Sequence, residues 1–145
     1  MFSVIAKYCH DHKRKFSQNI PCFLCTFGDS AALADHLATL IATGVKTASC
    51  GSLAGCIEDN AFPMIGEYKI VENSRGEPVC VIRVIGLHLL RFSDVTVELA
   101  RKEGEGDLSL EYWRNEHRRF SRQKEAIHQK WTLYLKNMPL LTLCR

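Results

Sequence analysis

Lys46 stands in the run GVKTASCG, among small residues and between two glycines, Gly44 and Gly51. A lysine ammonium is a compact cation with three rotatable donors, and the hydroxyls of Thr47 and Ser49 both donate and accept. Facing one pocket, these groups suit a phosphate or the edge of a base. In a regular strand, positions an odd number apart project from opposite faces. A joint role for Lys46 and Ser49 therefore needs a turn, a bulge or a helical twist, which the flanking glycines make accessible to the backbone. The competing reading is a lysine set at a helix C-terminus to complement its dipole, followed by an ordinary small-residue turn.

A second set of reactive types lies in ARKEGEGDLSLEYWRNEHRRF. Glu103 and Glu105 bracket Gly104, and carboxylates on a glycine-rich loop can act as general bases or hold a hydroxyl group. Solvated loop charges are the plain alternative. Arg114 and Arg118 lie four apart, on one face of a helix, and make a suitable fork for phosphates. From Ser109 to Lys130 six basic residues face three acidic ones. This local excess fits phosphate contacts as well as it fits a solvated helix surface. His117 shares an apolar stripe with Leu110, Trp113 and Phe120 and reads as a half-buried residue rather than a catalyst.

Seven cysteines cannot all pair. In a reducing compartment they read as free thiols, several filling space in the core. Cys22 and Cys25 have the C-x-x-C spacing, with Cys9, His10 and His12 nearby, but a structural zinc site calls for a second regular ligand pair. No metal and no cofactor is expected.

The elements that must carry these residues follow from local signals. PCFLCTF reads as a short strand. Ser30 is placed as an N-cap, and Leu33, Leu37, Leu40 and Ile41 form one face of a helix over residues 31–43 that Gly44 stops. GEYKIVEN and EPVCVIRVIGLHLLRF flank the turn residues NSRG and read as an antiparallel hairpin whose second strand bends at Gly86. Ser93 is read as the cap of a short helix ending at Gly104, Ser109 as the start of a longer one, and MPLLTLCR as a last strand. Strands at both ends with helices between predict an α+β domain built on a curled sheet or small barrel. Residues 1–24 read as an N-terminal arm with a short strand and 25–145 as one globular domain.

The chain has 145 residues, 46% hydrophobic and 24% charged, with a net charge of +3, so it is not a generic polyanion binder. No apolar run approaches a membrane span and the first residues lack a secretory pattern, so a cytoplasmic protein is expected.

FGDS, GVKTAS, PMIGEYKIVENSRGEPVCVIRV and FSDVTVELARKEGEGDLSLEYWRNEHRRF, in that order and spacing, resemble the ASCH domain family of the PUA-like superfamily over roughly residues 25–143. The resemblance implies a small PUA-like β-barrel with flanking helices and a basic cleft that binds RNA or a nucleotide. Its glycine–lysine–alanine–threonine signature is met by Gly44, Lys46, Ala48 and, in place of threonine, Ser49. The ligand-binding residues then expected are Lys46, Thr47, Ser49, Glu105, Arg114 and Arg118. Some relatives are N4-acetylcytidine amidohydrolases and another is described as a ribonuclease. Carried onto this chain, that chemistry implies Lys46, Ser49 as nucleophile, and Glu103, with Glu105 as fallback. A protein-interaction module is the third class consistent with the sequence.

Overall fold

The structure, a computed structural model, describes residues 22–122 and 132–143. Among these, seven strands form two sheets. The first has four strands: β1 (Cys22–Cys25), β3 (Tyr68–Glu72), β4 (Pro78–Arg83) and β7 (Leu140–Leu143), in the order β1-β3-β4-β7. The second has three: β2 (Ala48–Ser52), β5 (Gly86–Arg91) and β6 (Thr132–Asn137), in the order β2-β6-β5. All pairings are antiparallel except β1 with β3. The architecture is the expected α+β, PUA-like one, but its strands form two sheets rather than one closed ring.

Helix α1 (Ala31–Ala42) starts where the Ser30 hydroxyl accepts the Leu33 amide hydrogen, at 3.3 Å. It ends at Gly44, whose φ of +74° is left-handed. Its buried face carries Ala34, Leu37, Ala38 and Ile41, of which Leu37, Ala38 and Ile41 share a core cluster with Phe27, Val71, Cys80, Ile82 and Met138. Each large aliphatic so buried contributes about 1.5–3 kcal/mol. The hairpin β3–β4 closes through Asn73, whose carboxamide oxygen accepts the Arg75 and Glu77 amide hydrogens.

The two sheets meet at a corner. The chain leaves β4 at Arg83 and enters β5 at Gly86, the bend the sequence predicts, and returns from β6 to β7 across Met138 and Pro139. Three backbone bonds sew this corner: Ile85 N–H to Asn137 C=O (2.9 Å), Val84 N–H to Glu67 C=O (3.0 Å) and Met138 N–H to Thr47 C=O (2.8 Å). A second apolar cluster, Phe92, Val95, Ala100, Trp113 and Leu133, lies under the three-stranded sheet.

Three features differ from the sequence reading. Thr96, not Ser93, caps helix α3 (Val97–Glu103), because Phe92–Asp94 forms a separate 3-10 turn and Val95–Thr96 is extended. Helix α2 (Leu53–Glu58), capped by Ser52, was not anticipated. Nor was β6, the central strand of the second sheet. Helix α4 (Leu110–Arg122) begins as expected, with the Ser109 hydroxyl accepting the Tyr112 amide hydrogen at 3.0 Å.

Candidate functional site

Strand β2 is an edge strand, and edge strands leave backbone groups unpaired. The C-terminal end of α3 covers this edge. Thr47 N–H donates to Lys102 C=O at 2.8 Å, and Cys50 N–H donates to the Glu103 carboxylate at 3.2 Å. Gly104 makes the approach possible. Its φ is +72°, and a Cβ there would lie 2.7 Å from Val45 O and 3.0 Å from Lys46 N. On the other side, Val45 N–H and Lys46 N–H both donate to Leu40 C=O at the end of α1. The backbone of Lys46 is thus clamped between two helix ends, and its side chain runs inward.

That side chain is 1% exposed. Its ammonium donates to Glu105 Oε1 at 2.7 Å, to Glu103 Oε2 at 3.2 Å and to the Glu103 backbone carbonyl at 3.2 Å. Three donors meet three acceptors, one of them a carbonyl at the negative end of a helix. Glu103, 2% exposed, uses its other oxygen to accept the Trp113 indole N–H at 2.8 Å and the Cys50 amide. His117 stacks on Trp113 with ring centroids 3.9 Å apart. Its Nδ1 lies 2.9 Å from the Trp113 carbonyl and carries the proton, since a carbonyl only accepts; its Nε2 lies 3.7 Å from Glu103.

Burial opposes the charge on Lys46, yet Glu103 and then Glu105 outweigh it and hold the ammonium above the usual lysine range. Burial likewise opposes ionisation of Glu103, but the Lys46 charge, then His117 and the donors from Trp113 and Cys50, keep its carboxyl below the ordinary carboxylate range. Burial first, and Glu103 second, push the Cys50 thiol far upward, so this cysteine is a neutral thiol. Glu105 is the group of this cluster that reaches water, its side chain 26% exposed.

The other sequence candidates fall around this centre. The Thr47 hydroxyl lies 3.5 Å from Lys102 C=O and helps dock α3 on β2. Ser49 is half-buried within a regular strand paired without a shift. Among the described residues no hydrogen bond joins it to Lys46, Glu103 or Glu105. It sits directly opposite Lys136 of β6. Cys50 points to the other face, against Trp113 and Leu133. Arg114 donates to Ser93 C=O at 3.4 Å, and the Arg118 guanidinium lies 5.5 Å from the Phe92 ring. Phe92 contacts Trp113, so both arginines stand one aromatic layer away from Glu103.

Sequence reasoning missed the role of Trp113 as a donor to Glu103, and it missed Lys136 altogether. The signal for Lys136 was one lysine inside the apolar run WTLYLKNMPLL. Among the described residues no group of three or more His, Cys, Asp or Glu side chains is arranged to hold a metal, and Cys25, Cys50 and Cys56 are free thiols. Cys9, His10 and His12 lie outside the described residues. No described helix is long and apolar enough to cross a membrane.

Two sheets joined at a corner, with a buried lysine–glutamate centre under the edge of one, define an α+β domain of the PUA-like type. The ASCH domain profile matches residues 23–137. The chain belongs to the ASCH domain family. The crystal structure of an ASCH domain from Lactobacillus crispatus is similar to it, with a TM-score of 0.86 and 25% identity over 96% of this chain and 92% of that one. A crystal structure of an Enterococcus faecalis protein gives 0.83, with 24% identity over 99% of this chain and 91% of that one. No curated protein matches the chain by sequence.

Proposed function

We propose that this chain is an RNA- or nucleotide-binding ASCH domain whose site lies over the Lys46–Glu103–Glu105 cluster. The observation that carries this reading is the full hydrogen bonding of a charged, buried Lys46. A base must accept a proton, and an ammonium held above the usual lysine range between two carboxylates is poorly suited to that. The neutral Cys50 thiol is no better as a nucleophile. This argues for binding ahead of hydrolysis at this centre.

In this reading Lys46 and Glu103 are positioning residues. They fix Glu105, whose half-exposed carboxylate accepts from a base amino group or from ribose hydroxyls. Arg114 and Arg118, on the basic face of α4, contact phosphates of the backbone. Membership of the ASCH family points the same way.

Titration of ribonucleosides and short RNAs by calorimetry tests this. Glu105→Gln should weaken nucleoside binding by at least about tenfold, the worth of one charge-assisted hydrogen bond, with a lowered melting temperature but a folded protein, because the carboxamide oxygen and Glu103 still accept from Lys46. Unchanged affinity removes Glu105 from the site. If neither RNA nor any nucleoside binds at moderate salt, the reading is wrong.

A further inference from the structure

Within the β2–β6 pair a second lysine is treated very differently. Lys136 is 8% exposed, a central-strand residue flanked by Ser49 on β2 and Leu87 on β5. Its amine lies 4.9 Å from the centre of the Phe27 ring, which belongs to the main core. Yet among the described residues it makes no hydrogen bond and no ion pair. A cation buried to this degree is normally paired, because taking it from water unpaired costs several kcal/mol. Phe27 offers a π-face, which offsets only part of that cost.

The charged and titratable groups around Lys136 do not supply the missing partner. Glu67 is already 3.0 Å from Lys69, an ion contact that does not align as a hydrogen bond. Lys69 and Lys46 are like charges, and Cys25 is the remaining titratable neighbour, from β1. Directly across the strand pair, the Ser49 side chain projects from the same face as that of Lys136. Cross-strand Cβ atoms stand about 4.5–5.5 Å apart. Its hydroxyl makes no hydrogen bond among the described residues and is free to donate.

We propose that Lys136 and Ser49 form a phosphate subsite, in which the phosphate group of a nucleotide ligand supplies the anion that Lys136 lacks. The inference rests on the nucleotide-binding reading above and specifies which lysine meets the phosphate. Lys46 has no donor left to give; Lys136 has three. Lys46 is already paired with Glu103 and Glu105, and Lys69 with Glu67, so Lys136 is the cation of this set that has no counter-charge among the described residues. Burial pulls the Lys136 amine below the usual lysine range, a pull that Cys25 and Glu67 oppose and Lys69 and Lys46 reinforce. An arriving phosphate opposes this shift, so binding takes up protons at those pH values where the free amine has begun to lose its own.

The experiment compares each of the four ribonucleosides with its 5′-monophosphate by isothermal titration calorimetry. For the wild-type chain, at least one monophosphate should bind at least about tenfold more tightly than its nucleoside. That increment should decline as pH rises through a value below the ordinary lysine range. Lys136→Met should abolish the increment and leave nucleoside affinity unchanged. Ser49→Asp, which places a carboxylate opposite the amine, should abolish it too while raising the melting temperature, so the test stands even if the methionine variant folds poorly. Equal affinity for nucleoside and monophosphate, or an increment that survives both variants, overturns the subsite and leaves the wider reading intact. If nothing binds, the wider reading falls and takes the subsite with it.

Discussion

Lys46→Met isolates what the buried cluster contributes to stability. The substitution keeps the length of the stem but removes the ammonium, leaving the 2%-exposed Glu103 without its counter-ion and the last carbonyl of α3 without its donor. Removing one partner of a buried pair costs about 3–5 kcal/mol. An independent bound comes from protonation. If Glu103 responds by taking up a proton, doing so at pH 7 from an unfolded value of about 4.3 costs roughly 3.7 kcal/mol. Trp113 and Cys50 still donate to one oxygen, so the ionised form retains some support and the true loss lies at or below that figure. Equilibrium unfolding in urea, at a series of pH values, measures it. A loss near 3–4 kcal/mol is expected at pH 7, shrinking by up to about 1.4 kcal/mol per pH unit toward pH 5. The double variant Lys46→Met, Glu103→Leu should recover much of the loss, because the stranded carboxylate is then gone. A loss under about 1 kcal/mol, or one that does not change with pH, would refute the claim that this lysine neutralises a buried carboxylate.

Two glycines in the same left-handed conformation separate strain from crowding. Gly44→Ala meets open space and should cost only the left-handed penalty of about 1–2 kcal/mol, whereas Gly104→Ala also drives a methyl into the backbone of Val45 and should cost at least twice as much by the same unfolding measurement. For the wild type, the Glu103 contribution is present above the unfolded carboxylate value and fades as pH falls through its lower folded one. The Lys46 contribution is present below the unfolded lysine value and fades as pH rises through its higher folded one, so stability should be broad across neutral pH with losses at both extremes. Lys136 has the opposite sign: its folded value is lowered, so Lys136→Met should be more stable than the wild type at pH 7, with the gap closing as pH approaches about 10.4.

What the sequence made legible was whatever a few neighbouring residues decide. Ser30 and Gly44 delimit α1 because a hydroxyl cap and a left-handed stop are local chemistry. The NSRG turn sets the β3–β4 hairpin for the same reason. The glycine-rich loop marks Glu103 and Glu105 as candidates, but their pairing with Lys46, 57 and 59 positions earlier, is not local, and only the family resemblance joined Glu103 to that lysine. Alternation along a strand had already indicated that Lys46 and Ser49 belong to different faces unless the backbone departs from regularity. The backbone of β2 stays regular, and Ser49 faces Lys136. β6 escapes the sequence reading because its last two residues, Lys136 and Asn137, are polar and interrupt the apolar run, and nothing short of the β2–β6 register reveals where that charge goes.

Two lysines within one small fold illustrate why residue type alone does not identify a ligand contact. Lys46 looked like the anion-facing cation because small residues surround it in the chain. In space it is Gly104 that lets α3 approach closely enough to surround its amine with acceptors, and the ammonium is neutralised before any ligand arrives. Lys136 sits in an otherwise apolar stretch of the chain that suggests a core position, and among the described residues no carboxylate pairs with it. A phosphate binds best where the protein has left a donor unsatisfied and has already borne the desolvation, so that little further reorganisation is needed on binding. By that criterion the face of β2 bearing Ser49, rather than the face bearing Cys50, is where an incoming phosphate gains most. The carboxylate cluster docked on the edge of β2 then serves to hold the strand and Glu105 in place.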